Sequence, residues 1–209
     1  MRKILLLSAS LLALTCTAAS AGSITIGLQE DAGATQQFSG GSNFAITGAS
    51  TPDFQVNNIS ASTVPTLTMP PIFDSNALDV RQDSGAAHTL HVFITAQGLM
   101  SPAALADLII ISSFSTNSLR MEWTVTETTL FDQGNGINSG TVAGLLVFGA
   151  QGGSADQIAD RFDITSPFSL THRYDIVSDG TFGDVNFGDA NSTIDQRVDF
   201  TNLRSVPSA

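Results

Sequence analysis

The sequence predicts an all-β protein: an antiparallel β-sandwich or jelly roll with at most one short helix. Three observations carry this. Short segments of alternating apolar and polar residues recur along the chain. Gly- and Asn-rich turn signals separate them. The composition is rich in Thr, Ser, Gly, Asn and Phe and poor in Lys, Glu and Arg, the residues that favour surface helices. No βα alternation is visible, so parallel-sheet folds are disfavoured.

The alternation begins with Ile24, Ile26 and Leu28, set against Ser23, Thr25 and Gly27. It returns at Leu90, Val92 and Ile94, and again where Leu119, Met121, Trp123 and Val125 share one face and Arg120, Glu122, Thr124 and Thr126 the other. A period of two with one apolar face describes a half-buried strand. Further strands are expected at 54–59, 77–81, 142–148, 161–165, 168–177 and 193–200. Gly40-Gly41, the run 132–136 and Gln151-Gly-Gly153 punctuate them. A single helical turn is allowed after Ser101 as N-cap and Pro102 at the first position, but Leu108 and Ile109 to Ile111 read as strand. The three prolines of 65–71 mark a long loop or a sheet edge.

Residues 1–21 read as a signal peptide. Arg2 and Lys3 precede an apolar run over 4–14, and Ala19-Ser20-Ala21 offers the small residues of a cleavage site. The apolar run falls short of the roughly 20 residues needed to span a bilayer. Cys16 is a poor match to a lipidation site, since Ala13 and Thr15 occupy the positions where Leu and a small residue are expected; it leaves with the leader, and the remaining domain is cysteine-free. The expectation is therefore an exported protein, secreted, periplasmic or on the cell surface, with one domain over 22–205 and no transmembrane segment.

Removing 21 of 209 residues leaves 188, enough for one substantial core without staples. It also removes two positive charges, taking the formal net charge from −11 to −13, and Lys3 is the only lysine. Such a surface repels phosphate backbones, so nucleic-acid partners are disfavoured.

Several stretches resemble the exported, β-rich bacterial proteins of the PEP-CTERM group. They are His88-Thr-Leu-His-Val-Phe-Ile-Thr-Ala96, Ser113-Phe-Ser-Thr-Asn117, Val125-Thr-Glu-Thr-Thr129, Pro167-Phe-Ser-Leu-Thr171 and Ala190-Asn-Ser-Thr-Ile-Asp195. The resemblance implies a location and a fold rather than an activity. Its members carry Val-Pro-Glu-Pro, an apolar span and a basic cluster; here Val206-Pro207-Ser208-Ala209 departs from that pattern, so the sorting step is not carried over.

Candidate chemistry is sparse. His88 and His91 are three apart, which on a strand points them to opposite faces, so a shared metal is not expected; both read as surface histidines of a sheet. No G-x-S-x-G elbow marks an activated serine. Glu122 and Glu127 face opposite ways on one strand, which argues against a glycosidase pair within it. Trp123 lies on an apolar face and reads as core, whereas Tyr174 alternates with Arg173 and Asp175 and reads as exposed. The segment 179–191 brings Asp179, Asp184, Asn186, Asp189 and Asn191 close in sequence, as calcium loops do, yet Gly188 and Asp189 break the EF-hand register. A solvated turn before a strand from Thr193 is the expected reading, with these five residues the weak candidates for a metal. No catalytic residue and no cofactor is assigned. The functional expectation is a non-catalytic structural, matrix or surface-associated protein, its partners unknown but extracellular polysaccharide or matrix among them. The alternative is a calcium-dependent carbohydrate-binding module.

Overall fold

The computed structural model describes residues 22–64, 72–100, 108–118, 123–149, 155–162, 167–180 and 183–196. The expected signal peptide, the proline loop over 65–71 and the helical turn at 101–107 lie outside these residues. Every regular element within them is a β-strand, and every strand pairing is antiparallel. No helix among the described residues is long and apolar enough to cross a membrane.

The strands are β1 (Ser23–Glu30), β2 (Gln36–Gly40), β3 (Asn43–Ile46), β4 (Ala49–Ser50), β5 (Phe54–Val64), β6 (Ile72–Gln82), β7 (Thr89–Leu99), β8 (Leu108–Ser118), β9 (Thr124–Asp132), β10 (Thr141–Gly149), β11 (Ala155–Phe162), β12 (Phe168–Val177) and β13 (Gly183–Gln196). They form two sheets. The first runs in the order β10-β9-β12-β7-β1-β2, and the second in the order β11-β8-β13-β6-β5-β3, with β4 attached to β5. Along each inner strand the side chains alternate between the space separating the sheets and the outside, and that period decides what is buried.

From the first sheet the core receives Ile24, Ile26 and Leu28 of β1, Leu90, Val92, Ile94 and Ala96 of β7, and Phe168, Leu170, Tyr174 and Ile176 of β12. The second sheet answers with Phe54, Val56, Ile59, Phe73, Leu78 and Val80. Trp123, just ahead of β9, is fully buried and meets Phe54 edge to face, with ring centroids 6.3 Å apart. Burying residues of this size contributes roughly 1.5–3 kcal/mol each, so the facing layers supply the main favourable term.

Irregularities in register decide which polar residues also turn inward. β5 shifts between Val56 and Asn58, and the β5–β6 pairing shifts again where Ala61 pairs with Ser75 and Ser60 with Ala77. The extra residue on β6 changes parity, so Leu78 and Ser75, three apart, both face the core. On β10, a shift between Val142 and Gly144 leaves Val142, Leu145 and Val147 exposed along the sheet edge.

Two expected boundaries change. Of the strand expected at 161–165, residues 161 and 162 belong to β11, which starts at Ala155 and pairs with β8, and 163–165 lie outside the described residues. The strand expected from Thr193 is β13, which begins at Gly183 and lies between β6 and β8. The segment read as a solvated turn is therefore mostly strand. Central pairing on both edges overrides the weak β-propensity of Gly, Asp and Asn, and the mismatch is absorbed by shifts on either side of Phe187.

Candidate functional site

At one end of the sandwich, where β1, β5 and β7 begin or finish, four side chains converge from both sheets. Glu30 is the last residue of β1, Asp31 opens the turn after it, Asp53 stands just ahead of β5, and His88 just ahead of β7. Each is held by main-chain bonds at a strand end. Asp31 takes a left-handed conformation (φ 47°), and its N–H donates to the carbonyl of Thr89 while its Oδ1 accepts from the N–H of Thr89 (2.8 and 2.9 Å). The N–H of Asp53 donates to Glu30 Oε2 (3.0 Å), which ties the second sheet to the first. The N–H of Ser178 donates to the His88 carbonyl (3.0 Å), and the Ser178 Oγ accepts from the His88 N–H (3.2 Å).

The imidazole of His88 sits among the three carboxylates. Its Nδ1 lies 2.9 Å from Asp31 Oδ2 and 3.8 Å from Glu30 Oε1, and its Nε2 lies 3.3 Å from Asp53 Oδ2. The hydrogen bond to Asp31 raises the His88 pKa above its usual value, against a smaller opposing effect of burial and with help from the charges of Asp53, Asp31 and Glu30. Asp31 moves the other way, held down by the bond from His88 and then by the Thr89 N–H. A nitrogen of His88 and one carboxylate oxygen each from Glu30 and Asp53 lie within 4.8 Å of one another, a set of atoms that can hold a metal ion.

A second polar group lies in the middle of the sandwich. Ser75 Oγ is 2.7 Å from His172 Nδ1, and His172 stacks on Phe73 with centroids 4.4 Å apart and meets Tyr174 edge to face. Glu127 stands across the β9–β12 pairing from Tyr174, and its Oε1 accepts from Thr129 Oγ1 (2.9 Å). Ser75 is 2 % exposed, and His172 and Glu127 are 0 % exposed. Burial alone brings the His172 pKa down to about 3, so the ring is neutral. Burial pushes Glu127 up to about 7, with Thr129 opposing. Burial, then the Glu127 charge, holds the Tyr174 hydroxyl well above its usual range, with Ser75 opposing.

The outer face of the first sheet carries a third group. His91 Nδ1 and Arg173 Nε both approach Asp175 Oδ1 (2.5 and 2.9 Å), and the Arg173 guanidinium lies 5.6 Å from the centre of the Phe93 ring.

His88 and His91 are kept apart, each with its own carboxylate partners. His172, by contrast, lies in the core. So does Tyr174, 1 % exposed where the sequence reading placed it outside: its parity with Leu170 and Ile176 outweighs its polar neighbours Arg173 and Asp175. Of the five residues of 179–191, Asp179 precedes β13, whereas Asp184, Asn186, Asp189 and Asn191 are strand positions. Asp184, Asn186 and Asn191 pair with Arg81, Asp79 and Asp74 of β6. A strand advancing about 3.3 Å per residue spreads them along its length instead of curling them around one point.

The Glu30–Asp53–His88 convergence was not legible in the sequence. Its members are 23 and 35 residues apart and meet through pairing across two sheets. The available signal was that each stands at the end of an alternating segment. No protein-family model matches the chain, and no curated protein sequence matches it.

Proposed function

We propose that this chain is an exported, non-catalytic β-sandwich protein with a structural, matrix or surface-associated role outside the cell. The observation that supports this best is the burial of the Ser75–His172 pair. Of the described groups it comes closest to a nucleophile and base in hydrogen-bond contact, the arrangement that hydrolytic catalysis needs. Both residues are sealed between the sheets, where no substrate carbonyl can approach. Their chemistry is that of a satisfied core hydrogen bond. The leader-like first 21 residues, the acidic composition and the resemblance to the PEP-CTERM group support export and an extracellular role.

The test has two arms. Cells producing the protein are fractionated, and the chain is expected in the medium, periplasm or surface fraction with Met1 to Ala21 removed. The recovered protein is then treated with a fluorophosphonate probe, and mass spectrometry is expected to find Ser75 unmodified. An adduct on Ser75 would overturn the non-catalytic reading, and retention of the whole chain in the cytoplasm would overturn the extracellular one.

One observation favours a carbohydrate-binding module as the second reading. Phe93, with Arg173 over its ring and His91 and Asp175 beside it, offers an aromatic surface flanked by hydrogen-bonding groups on the outer sheet face. Retardation in polysaccharide-containing gels, lost on Phe93→Ala, would promote this reading.

A further inference from the structure

We propose that Asn135 is a deamidation site which the loop between β9 and β10 keeps closed, with Asp132 as the residue that positions the loop against the reaction. The inference does not rest on the extracellular role proposed above.

Asn135 is followed by Gly136. In that dipeptide nothing on the second residue shields its main-chain nitrogen, which can attack the asparagine side chain. The Gly136 nitrogen bonds to Asn135 Cγ, the Cγ–Nδ2 bond breaks, and Nδ2 leaves as ammonia with the proton of the Gly136 N–H. Water then opens the succinimide at either carbonyl and leaves aspartate or isoaspartate. No other reactant is needed, so the pair is labile in an open chain. The loop nevertheless requires both residues. Asn135 takes a left-handed conformation (φ 59°), which asparagine tolerates better than most side chains. At Gly136 an added Cβ would stand 2.5 Å from Asp132 Oδ2, so the close approach of this carboxylate calls for glycine.

Three features of the folded loop oppose the attack. The first is the torsion between attacker and target. Ring closure needs the Gly136 nitrogen to eclipse Asn135 Cβ, whereas the left-handed region, with its positive ψ, turns that nitrogen to the far side of the residue. The second is the nucleophile. The Gly136 N–H donates to Asp132 Oδ2 (3.1 Å), and the Gly136 carbonyl accepts from Ser169 Oγ (2.7 Å). The third is the target. Asn135 Oδ1 accepts from the Gly98 N–H (2.7 Å), and the Asn135 carbonyl accepts from Gln97 Nε2 (2.7 Å), which fixes the residue against the end of β7. Asp132 is the common anchor. Its carboxylate takes bonds from Gly134, Gly136 and Ser139, on both sides of Asn135, and its carbonyl accepts from the Asn135 N–H (3.2 Å). Deamidation then proceeds only from molecules whose loop has opened. Isoaspartate adds an atom to the main chain, so a loop that has reacted cannot close in the same way. The site is a one-way record of opening.

The experiment incubates the purified, folded protein at neutral pH and follows the side-chain amide of Asn135 by peptide-mapping mass spectrometry. A synthetic peptide of residues 130–141 under the same conditions gives the unguarded rate. The peptide is expected to convert while Asn135 of the folded chain keeps its amide. Asp132→Ala should raise the rate in the folded chain about tenfold or more, because it frees the Gly136 N–H and loosens the loop. Asp132→Asn, which keeps an acceptor oxygen, should restore part of the protection. Far-UV circular dichroism keeps misfolded variants out of the comparison. Urea below the unfolding midpoint should also speed conversion of the parent chain by raising the open fraction, and it stands in if Asp132→Ala does not fold. Conversion of the folded parent at the rate of the peptide, a folded Asp132→Ala chain as resistant as the parent, or no acceleration in urea would each overturn the proposal.

Discussion

His172 and Glu127 are buried titratable groups whose effects on stability oppose each other. His172 has its pKa depressed to about 3 in the folded chain, from 6.5. Its contribution is present above pH 6.5 and is lost as pH falls toward 3, because the unfolded chain takes up the proton first. Glu127 has its pKa raised to about 7, from 4.5. Its contribution is present below pH 4.5 and is lost as pH rises through 7. Between pH 4.5 and 6.5 the two slopes cancel, and stability is nearly level there. Glu127→Gln removes one slope and spares the other. Stability of the variant should climb by about 3 kcal/mol from pH 4.5 to 6.5, at 1.36 kcal/mol per pH unit for one proton. Urea unfolding at several pH values checks this, and a variant as level as the parent would contradict it. At this scale the sequence was partly legible. Trp123, Val125 and Glu127 share one parity, so the buried place of Glu127 follows from the same alternation that buried Trp123. Ser75 could not be placed that way, because its inward turn depends on a change of register in β6.

Among the elements, the connection from β9 to β10 is held by its own hydrogen bonds. Asp132 accepts from the N–H groups of Gly134 and Gly136 and from Ser139 Oγ, and these bonds, Ser139 first, hold its carboxyl below the usual range. The loop then folds back over the first sheet. Asn138 Oδ1 accepts from Thr95 Oγ1, Asn135 Oδ1 from the Gly98 N–H, and the Gly136 carbonyl from Ser169 Oγ. At Gly140 (φ 127°) an added Cβ would stand 2.3 Å from the Phe131 carbonyl oxygen, so main chain, not a mobile side chain, blocks substitution. Asp132→Ala should cost about 1–3 kcal/mol, and Gly140→Ala at least as much, in denaturant melts. A loss below ~0.5 kcal/mol in both would mean the loop is not a structural clasp. The elements themselves were read unevenly. β12 falls on 168–177 as expected, because its alternation is regular and its ends are marked. β13 was cut short because Gly183, Gly188 and their Asp and Asn neighbours carry a turn composition, which two flanking strands override.

For the whole molecule, the all-β antiparallel class was legible because period-two patterning and turn residues agree over most of the chain. The strand order was not legible, since β1 pairs with β7 and β6 with β13 across long stretches of sequence. Where the sheets close on each other, Ser75 and His172 are brought into mutual contact, while Glu30, Asp53 and His88 gather at one end of the sandwich. That separation underlies the functional account, in which the interior is sealed and any ligand chemistry is confined to the outside. His172 is the most direct probe of the sealing, because its ring lies at the centre of the sandwich and its charge state reports whether water reaches it. The measurement is an NMR titration of the histidine side chains from pH 8 to pH 4. The account predicts that the His172 ring remains neutral throughout, while His88 titrates above the usual range. A His172 that titrates near pH 6.5 in the folded protein would show an interior open to water and would contradict the account.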